Sequence, residues 1–128
     1  MQVNVWFAFF CAFNALLLVA LSLNVSRLRL KHHVSLGDGG VEELQFAIRT
    51  HANGVEQVPI FGLLLLGLLL IQVAPSILAG FIIVFTLARI SHALGMLGGI
   101  SMARKVGAGF TFLCQLSAAG SLFIYSLY

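Results

Sequence analysis

Four apolar stretches, each long enough to cross a lipid bilayer, fill most of this chain and are separated only by short polar segments. A helix needs about 20 residues to span the hydrocarbon core of a membrane. The chain has 128 residues, 60% of them hydrophobic and 9% charged, whereas soluble domains carry about 25% charged residues. The sequence therefore predicts an all-α integral membrane protein, a four-helix up-down bundle that forms a single domain over residues 1–128.

Turn-forming residues set the boundaries of the four helices. The predicted helices cover about residues 3–27, 41–72, 76–97 and 104–127. A polar, glycine-rich turn from Lys31 to Gly40 follows helix 1, and Pro75 marks the turn after helix 2. Glu42 and Glu43 fall in the first turn of helix 2, where carboxylates complement the positive end of the helix dipole.

Lysine and arginine residues are distributed unevenly between the two ends of the predicted bundle. Loop 1 joins helices 1 and 2, and loop 3 joins helices 3 and 4. These loops and their flanks hold Arg27, Arg29, Lys31, Arg104 and Lys105, whereas the turn between helices 2 and 3 and both termini hold no lysine or arginine. By the positive-inside rule, loops 1 and 3 are cytoplasmic and both termini are not. Trp6, Tyr125 and Tyr128 fit an aromatic belt at the opposite interface. Because no basic residue precedes the first apolar run, helix 1 is expected to stay in the mature protein.

Several classes of function are disfavoured. The net charge of +3 comes from a few residues at the membrane edge, which argues against a nucleic-acid partner. Cys11 and Cys114 lie in apolar stretches without the spacing of a metal or redox motif, and packing explains them. His32 and His33 have no further ligands at metal-binding spacing. The sequence predicts no metal.

Three charged residues interrupt the predicted spans: Arg49 and Glu56 on helix 2, and Arg89 on helix 3. Each costs about 2.5 to 3.5 kcal/mol at the bilayer centre on insertion scales. The three together cost on the order of 8 kcal/mol if unpaired at that depth. These side chains must therefore face protein or water.

The charged residues of helix 2 belong to one polar face. At 100° per residue, a stripe narrower than about 90° holds Glu42, Gln45, Arg49, Asn53 and Glu56. This stripe predicts the wall of a cavity open to the cytosol. On helix 3, Arg89, His92 and Met96 share a face that could meet the stripe.

Two interpretations of these charges remain open. A buried pair, either Arg49 with Glu56 or Glu56 with Arg89, would simply lock the bundle. Alternatively, the charged residues bind an anionic ligand. Four arginines in or beside the spans accompany a single in-span carboxylate, that of Glu56: Arg27, Arg49, Arg89 and Arg104. The excess of cations favours the ligand.

The segment Arg49-Thr-His-Ala-Asn53-Gly-Val-Glu56-Gln-Val-Pro59 resembles the helix 2 signature of the MAPEG family, the membrane-associated proteins in eicosanoid and glutathione metabolism. Arg27-Leu-Arg29-Leu-Lys31 is similar to the basic end of the family's helix 1. Arg89 followed by His92 resembles its helix 3, and Arg104 falls near its catalytic arginine at the start of helix 4. The chain looks like a bacterial member similar to microsomal glutathione transferases.

The resemblance implies a homotrimer in the bacterial inner membrane, with glutathione in a cleft between subunits near the cytoplasmic side. It implies a transferase or peroxidase that acts on a lipophilic electrophile arriving from membrane lipid, with glutathione as co-substrate. Arg104 would stabilise the thiolate. The other implied binding residues are Arg27, Arg49, Asn53, Glu56, Arg89 and His92.

The implied chemistry is reasonable in magnitude. Arginines suit the two carboxylates of glutathione, and Glu56 suits its ammonium group. A thiol with a pKa near 8.5 is only a few per cent ionised at neutral pH, and lowering that pKa by two units takes about 2.7 kcal/mol. One arginine about 4 Å away supplies roughly 4 kcal/mol at an effective dielectric constant near 20.

Some positions depart from the family pattern. Gln57, His92 and Met96 stand where several eicosanoid-synthesising members carry tyrosines, which argues against leukotriene or prostaglandin synthesis. A family member that has lost catalysis and serves as a scaffold is therefore an alternative, and Lys105 is an alternative to Arg104 as the catalytic cation. A small multidrug exporter is disfavoured because helix 1 lacks the membrane-embedded carboxylate of that class.

Overall fold

The computed structural model describes residues 5–127 and is all-helical in its regular elements. The four helices are α1, Val5–His32, α2, Glu42–Leu70, α3, Pro75–Leu97, and α4, Ser101–Tyr125. All four are long and apolar enough to cross a membrane, which confirms the predicted number and type of elements. The predicted start of helix 1 at Val3 and the belt position of Tyr128 lie outside the described residues.

The first helix runs further than the sequence predicts. α1 continues to His32, beyond the predicted end at residue 27, because its cap lies one turn later. His33 has a left-handed backbone with φ 56°, and the amide of Val34 donates to the carbonyl of Arg29 across 3.0 Å. This six-residue return is a Schellman motif. It satisfies the carbonyl that the end of the helix leaves free.

The last helix begins earlier than predicted. α4 starts at Ser101 rather than near residue 104, so Arg104 lies within its first turn. The preceding turn closes on Gly99, which has φ 68°, and the amide of Ile100 donates to the carbonyl of Gly95 across 2.9 Å. Because this cap needs only three residues, loop 3 is very short.

The helices form a bundle in which α2 and α3 occupy the middle. α1 packs on α2 and α3, and α4 packs on the same two helices. Within residues 5–127, α1 and α4 do not approach each other. α2 and α3 therefore supply most of the interior surface, and their polar residues become the polar interior of the bundle.

An aromatic cluster fills the centre of the bundle. The rings of Phe61 and Phe85 stack with centroids 3.9 Å apart and planes 10° apart. The ring of Phe10 contacts both, at 5.9 Å from each centroid. Leu65 and Cys114 are buried in the same cluster. Since apolar lipid tails give no hydrophobic drive for helix association, close packing of this kind holds the helices together.

α3 and α4 pack closely because glycines lie between their backbones. A Cβ atom on Gly107 would come within 2.5 Å of the amide nitrogen of His92 and within 2.6 Å of the carbonyl oxygen of Ala88. The Ser91 hydroxyl also donates to the carbonyl of Ala103 across 3.0 Å. Small residues commonly allow such approaches in membrane bundles. These two contacts fix the position of α4 along the axis of α3.

Candidate functional site

The only in-span arginine on α3 is buried and held by two polar side chains from other helices. Arg89 is 2% exposed. Its Nη2 donates to Oδ1 of Asn53 on α2 across 2.8 Å, and its Nη1 donates to the hydroxyl of Thr111 on α4 across 3.5 Å. Thr111 in turn donates to the carbonyl of Gly107 across 2.8 Å. The guanidinium of Arg89 therefore links α2, α3 and α4 inside the bundle.

Arg89 has no carboxylate partner within the described part of the chain, where the ion pairs involve other cations. An amide oxygen and a hydroxyl satisfy its hydrogen bonds without neutralising its charge. A buried, unpaired cation attracts anions strongly because the surrounding medium screens it poorly. The arrangement therefore holds a positive charge inside the bundle.

His92 lies one helical turn after Arg89 on α3. It is buried, and its Nδ1 makes no hydrogen bond in the structure. Buried polar atoms are usually satisfied, so this ring can accept or donate one further hydrogen bond. It borders the close contact with Gly107 on α4.

Arg49 and Glu56 lie on the outer surface of the chain. Their side chains are 60% and 52% exposed, and Nη1 of Arg49 is 4.0 Å from Oε1 of Glu56. Glu56 lies halfway along the 29-residue α2, about 21 Å from its start at 1.5 Å per residue. This is membrane depth, and the pair is not the buried lock that one interpretation of the sequence required.

One cavity opens at the end of the bundle formed by loops 1 and 3. It has a volume of about 490 Å³ and is lined by Asn24, Arg27, Leu28, Glu42, Glu43, Phe46, Met96, Leu97 and Gly99. Oδ1 of Asn24 accepts hydrogen bonds from Nε and Nη2 of Arg27, at 3.3 and 2.9 Å. Asn24 thus holds the guanidinium of Arg27 at the cavity, within one turn of α1.

Arg104 lines a second, smaller cavity beside the first. This cavity has a volume of about 110 Å³ and is lined by Phe46, Gly95, Met96, Gly99, Ser101 and Arg104. Phe46, Met96 and Gly99 belong to both cavities, so the two spaces adjoin. Arg27 and Arg104 therefore flank one polar recess at the same end of the bundle.

The α2 stripe is divided between two environments. Asn53 lies at the edge of the stripe that faces α3, whereas Arg49 and Glu56 lie at the edge that faces out. Only Glu42 of the stripe lines the recess. The stripe therefore does not form the cavity wall within a single chain, and the predicted site residues fall into a buried set, an outer set and a set around the recess.

Two residues of the candidate site, Thr111 and Asn24, are not among the site residues predicted from the sequence. Thr111 stands out only as one of many small residues on α4, and nothing in the sequence distinguishes it as the partner of Arg89. Asn24 precedes Arg27 by three positions, the spacing at which helical side chains meet. That spacing was the sequence signal for the contact between Asn24 and Arg27.

Within residues 5–127, no three His, Cys, Asp or Glu side chains come together to hold a metal.

These features define a four-helix integral membrane protein with charged side chains inside its spans. The sequence model of the MAPEG family matches residues 7–124, and the chain belongs to that family. The resemblance seen in the sequence is thus confirmed.

Two relatives share part of the sequence. Both are called inner membrane protein YecN, from Escherichia coli strain K12 and from Escherichia coli O6:H1 strain CFT073. Each is 49% identical over 59 residues, which cover 46% of this chain and 45% of the relative. The match thus spans less than half of either protein.

Proposed function

We propose that this protein binds glutathione between neighbouring copies of a homotrimer and transfers it to lipophilic electrophiles, or uses it to reduce them. The location we propose is the bacterial inner membrane, in line with the name of its relatives. Loops 1 and 3 would face the cytosol, where glutathione is available.

One observation carries the proposal: Glu56 is exposed halfway along a membrane-spanning helix, with Arg49 exposed beside it. Facing lipid, each charge costs about 2.5 to 3.5 kcal/mol. A second copy packed on this face of α2 would remove both side chains from lipid. A peptide with two carboxylates and an ammonium group, bound in the resulting cleft, would complement both charges.

The remaining cations suit the other groups of the same peptide. Arg27 and Arg104 flank the recess at one end of the chain, and Arg89 holds a positive charge in the interior. Arg104 is assigned to the sulfur because it lies in the first turn of α4, where the positive end of the helix dipole also favours a thiolate.

The transfer reaction then balances simply. The thiol gives its proton to water, and Arg104 stabilises the thiolate that remains. The sulfur forms a bond with the electrophilic carbon, and the leaving group departs with the electron pair of its old bond. In the reducing branch, two glutathione molecules become one disulfide while a lipid hydroperoxide becomes an alcohol and water.

The deciding experiment is ultraviolet difference absorbance of the detergent-solubilised protein on addition of glutathione, which reports thiolate formation. A saturable thiolate signal at neutral pH that disappears in Arg104→Ala supports the proposal. Lys31→Ala removes a cation that pairs with Glu43 across 3.0 Å and should keep the signal. If Lys105→Ala abolishes the signal and Arg104→Ala does not, Lys105 has the catalytic role. If no signal appears in the unmodified protein, activation of glutathione is excluded, and either a non-catalytic scaffold or an enzyme that uses another low-molecular-weight thiol takes its place.

A further inference from the structure

A second groove lies outside the recess, against the last turns of α1. It has a volume of about 570 Å³ and is lined by Ser26, Arg29, Leu30, His33, Val34 and Ser35. None of these residues lines the recess that holds Arg27 and Arg104. The glutathione site proposed above does not use this groove.

The groove lies at the depth of lipid headgroups. The apolar part of α1 runs from Val5 to Leu23, and about 20 residues cross the hydrocarbon core. The residues after Asn24 therefore emerge into the headgroup layer, and Arg29 lies about one turn beyond that boundary. Leu30 is 79% exposed in the same turn. Its apolar side chain and the adjacent cation match the two halves of a phospholipid.

The charges of this region are only partly compensated. Lys31 and His32 both contact Oε2 of Glu43, at 3.0 and 3.1 Å. Neither Arg29 nor His33 forms an ion pair with any residue of the described range 5–127. The groove wall consists of one guanidinium, one imidazole, two hydroxyls and two apolar side chains, with no carboxylate. This set of donors complements an anion.

Arg29 is held in position with donors to spare. Its Nη1 donates to the carbonyl of Gly37 in loop 1 across 2.6 Å. A guanidinium carries five N–H donors in a rigid fork that matches phosphate oxygens. The contact with Gly37 therefore fixes the side chain against the loop and leaves other donors for a ligand in the groove.

The helix cap sets the position of His33. Its backbone is left-handed with φ 56°, the conformation that closes the Schellman motif of α1. Its side chain lines the groove, so the cap places an imidazole where glycine, the usual residue at this position, would place no side chain.

We propose that this groove binds an anionic phospholipid, with its phosphodiester on Arg29, His33 and the hydroxyls of Ser26 and Ser35. The acyl chains would run along Leu30 toward the bilayer core. A direct hydrogen bond to a charged group raises affinity by about tenfold or more, whereas diffuse attraction to an anionic surface would not distinguish Arg29 from Lys31. The groove is open on the outside of the chain, so lipid can enter it from the bilayer.

The test is native mass spectrometry of the delipidated protein in its natural oligomeric state, titrated with phosphatidylglycerol or phosphatidylcholine. We expect tighter binding of phosphatidylglycerol and a loss of about tenfold or more in Arg29→Gln. Lys31→Gln removes the same charge two positions away, outside the groove, and should change the affinity little. His33→Gly relieves the backbone strain while removing a donor, so it should keep the fold and weaken binding.

Four outcomes would overturn the proposal. Equal losses in Arg29→Gln and Lys31→Gln would indicate diffuse attraction to the basic end of α1. Displacement of the lipid by inorganic phosphate would indicate a site for small anions. A change in oligomeric state in His33→Gly, without a change in lipid affinity, would indicate that another copy of the chain covers the groove. Equal affinity for both lipids would exclude headgroup recognition. None of these readouts depends on glutathione, so failure here leaves the proposed function intact.

Discussion

Arg89 on α3 donates a hydrogen bond to Oδ1 of Asn53 on α2 across 2.8 Å, inside the membrane-spanning part of the bundle. The two residues are 36 positions apart in the chain. Their contact turns one edge of the α2 polar stripe inward. It leaves the other edge, with Arg49 and Glu56, on the outer surface.

The first prediction concerns this contact. Asn53→Ala should lower the free energy of unfolding, and it should lower it less when Arg89 is already replaced by Met. Hydrogen bonds between membrane helices contribute about 0.6 kcal/mol on average and up to about 1.7. The coupling energy from a double-mutant cycle in mixed micelles should fall in that range. Additive losses would show that the contact does not stabilise the fold.

The second prediction concerns the close approach of α3 and α4. Gly107→Ala places a methyl group against the backbone of His92 and Ala88, so the helices must separate. We expect a loss of about 1 to 3 kcal/mol in unfolding free energy, as for overpacked cores. Gly109→Ala, which would meet nothing within 4 Å, serves as the control. It should stabilise α4 by about 0.5 to 1 kcal/mol. Equal effects at the two positions would contradict the packing described.

The third prediction concerns the aromatic cluster. Phe61 is fully buried and stacks on Phe85, so Phe61→Ala should leave a cavity and cost about 3 to 5 kcal/mol. Phe112 is 52% exposed, and Phe112→Ala should cost far less. Thermal unfolding followed by near-ultraviolet circular dichroism compares the two. Similar losses would mean that assembly buries Phe112 as deeply as folding buries Phe61.

The fourth prediction concerns the outer carboxylate of α2. If Glu56 holds the ammonium group of glutathione, Glu56→Gln should weaken binding by at least tenfold, because a hydrogen bond to a charged group contributes about 1.5 to 3 kcal/mol. Isothermal titration calorimetry in detergent measures the affinity. The control is Asp38→Asn, which also removes one carboxylate charge. It lies in loop 1 and keeps an oxygen that can accept the hydrogen bond from the amide of Gly40. Unchanged affinity in Glu56→Gln would remove Glu56 from the site.

Helix ends were less well predicted than helix number. The ends of α1 and α2 each use a non-glycine residue in the left-handed region, His33 with φ 56° and Gln72 with φ 59°. Glycine is the residue that marks such caps in a sequence. Without a glycine at this cap, the sequence predicts the end of helix 1 at its basic residues, five positions before the observed end at His32.

The sequence by itself determined the membrane class, the four spans and the family, because apolar run length and a short local motif decide these properties. It also identified the polar face of α2, since 3.6 residues per turn fix the angular spacing along any helix. Only the tertiary structure decided how each helix is rotated about its axis. That rotation depends on packing against every neighbour at once, including the contact of Gly107 with α3 and the stacking of Phe61 on Phe85. It alone directs Asn53 to Arg89 and leaves Glu56 outside.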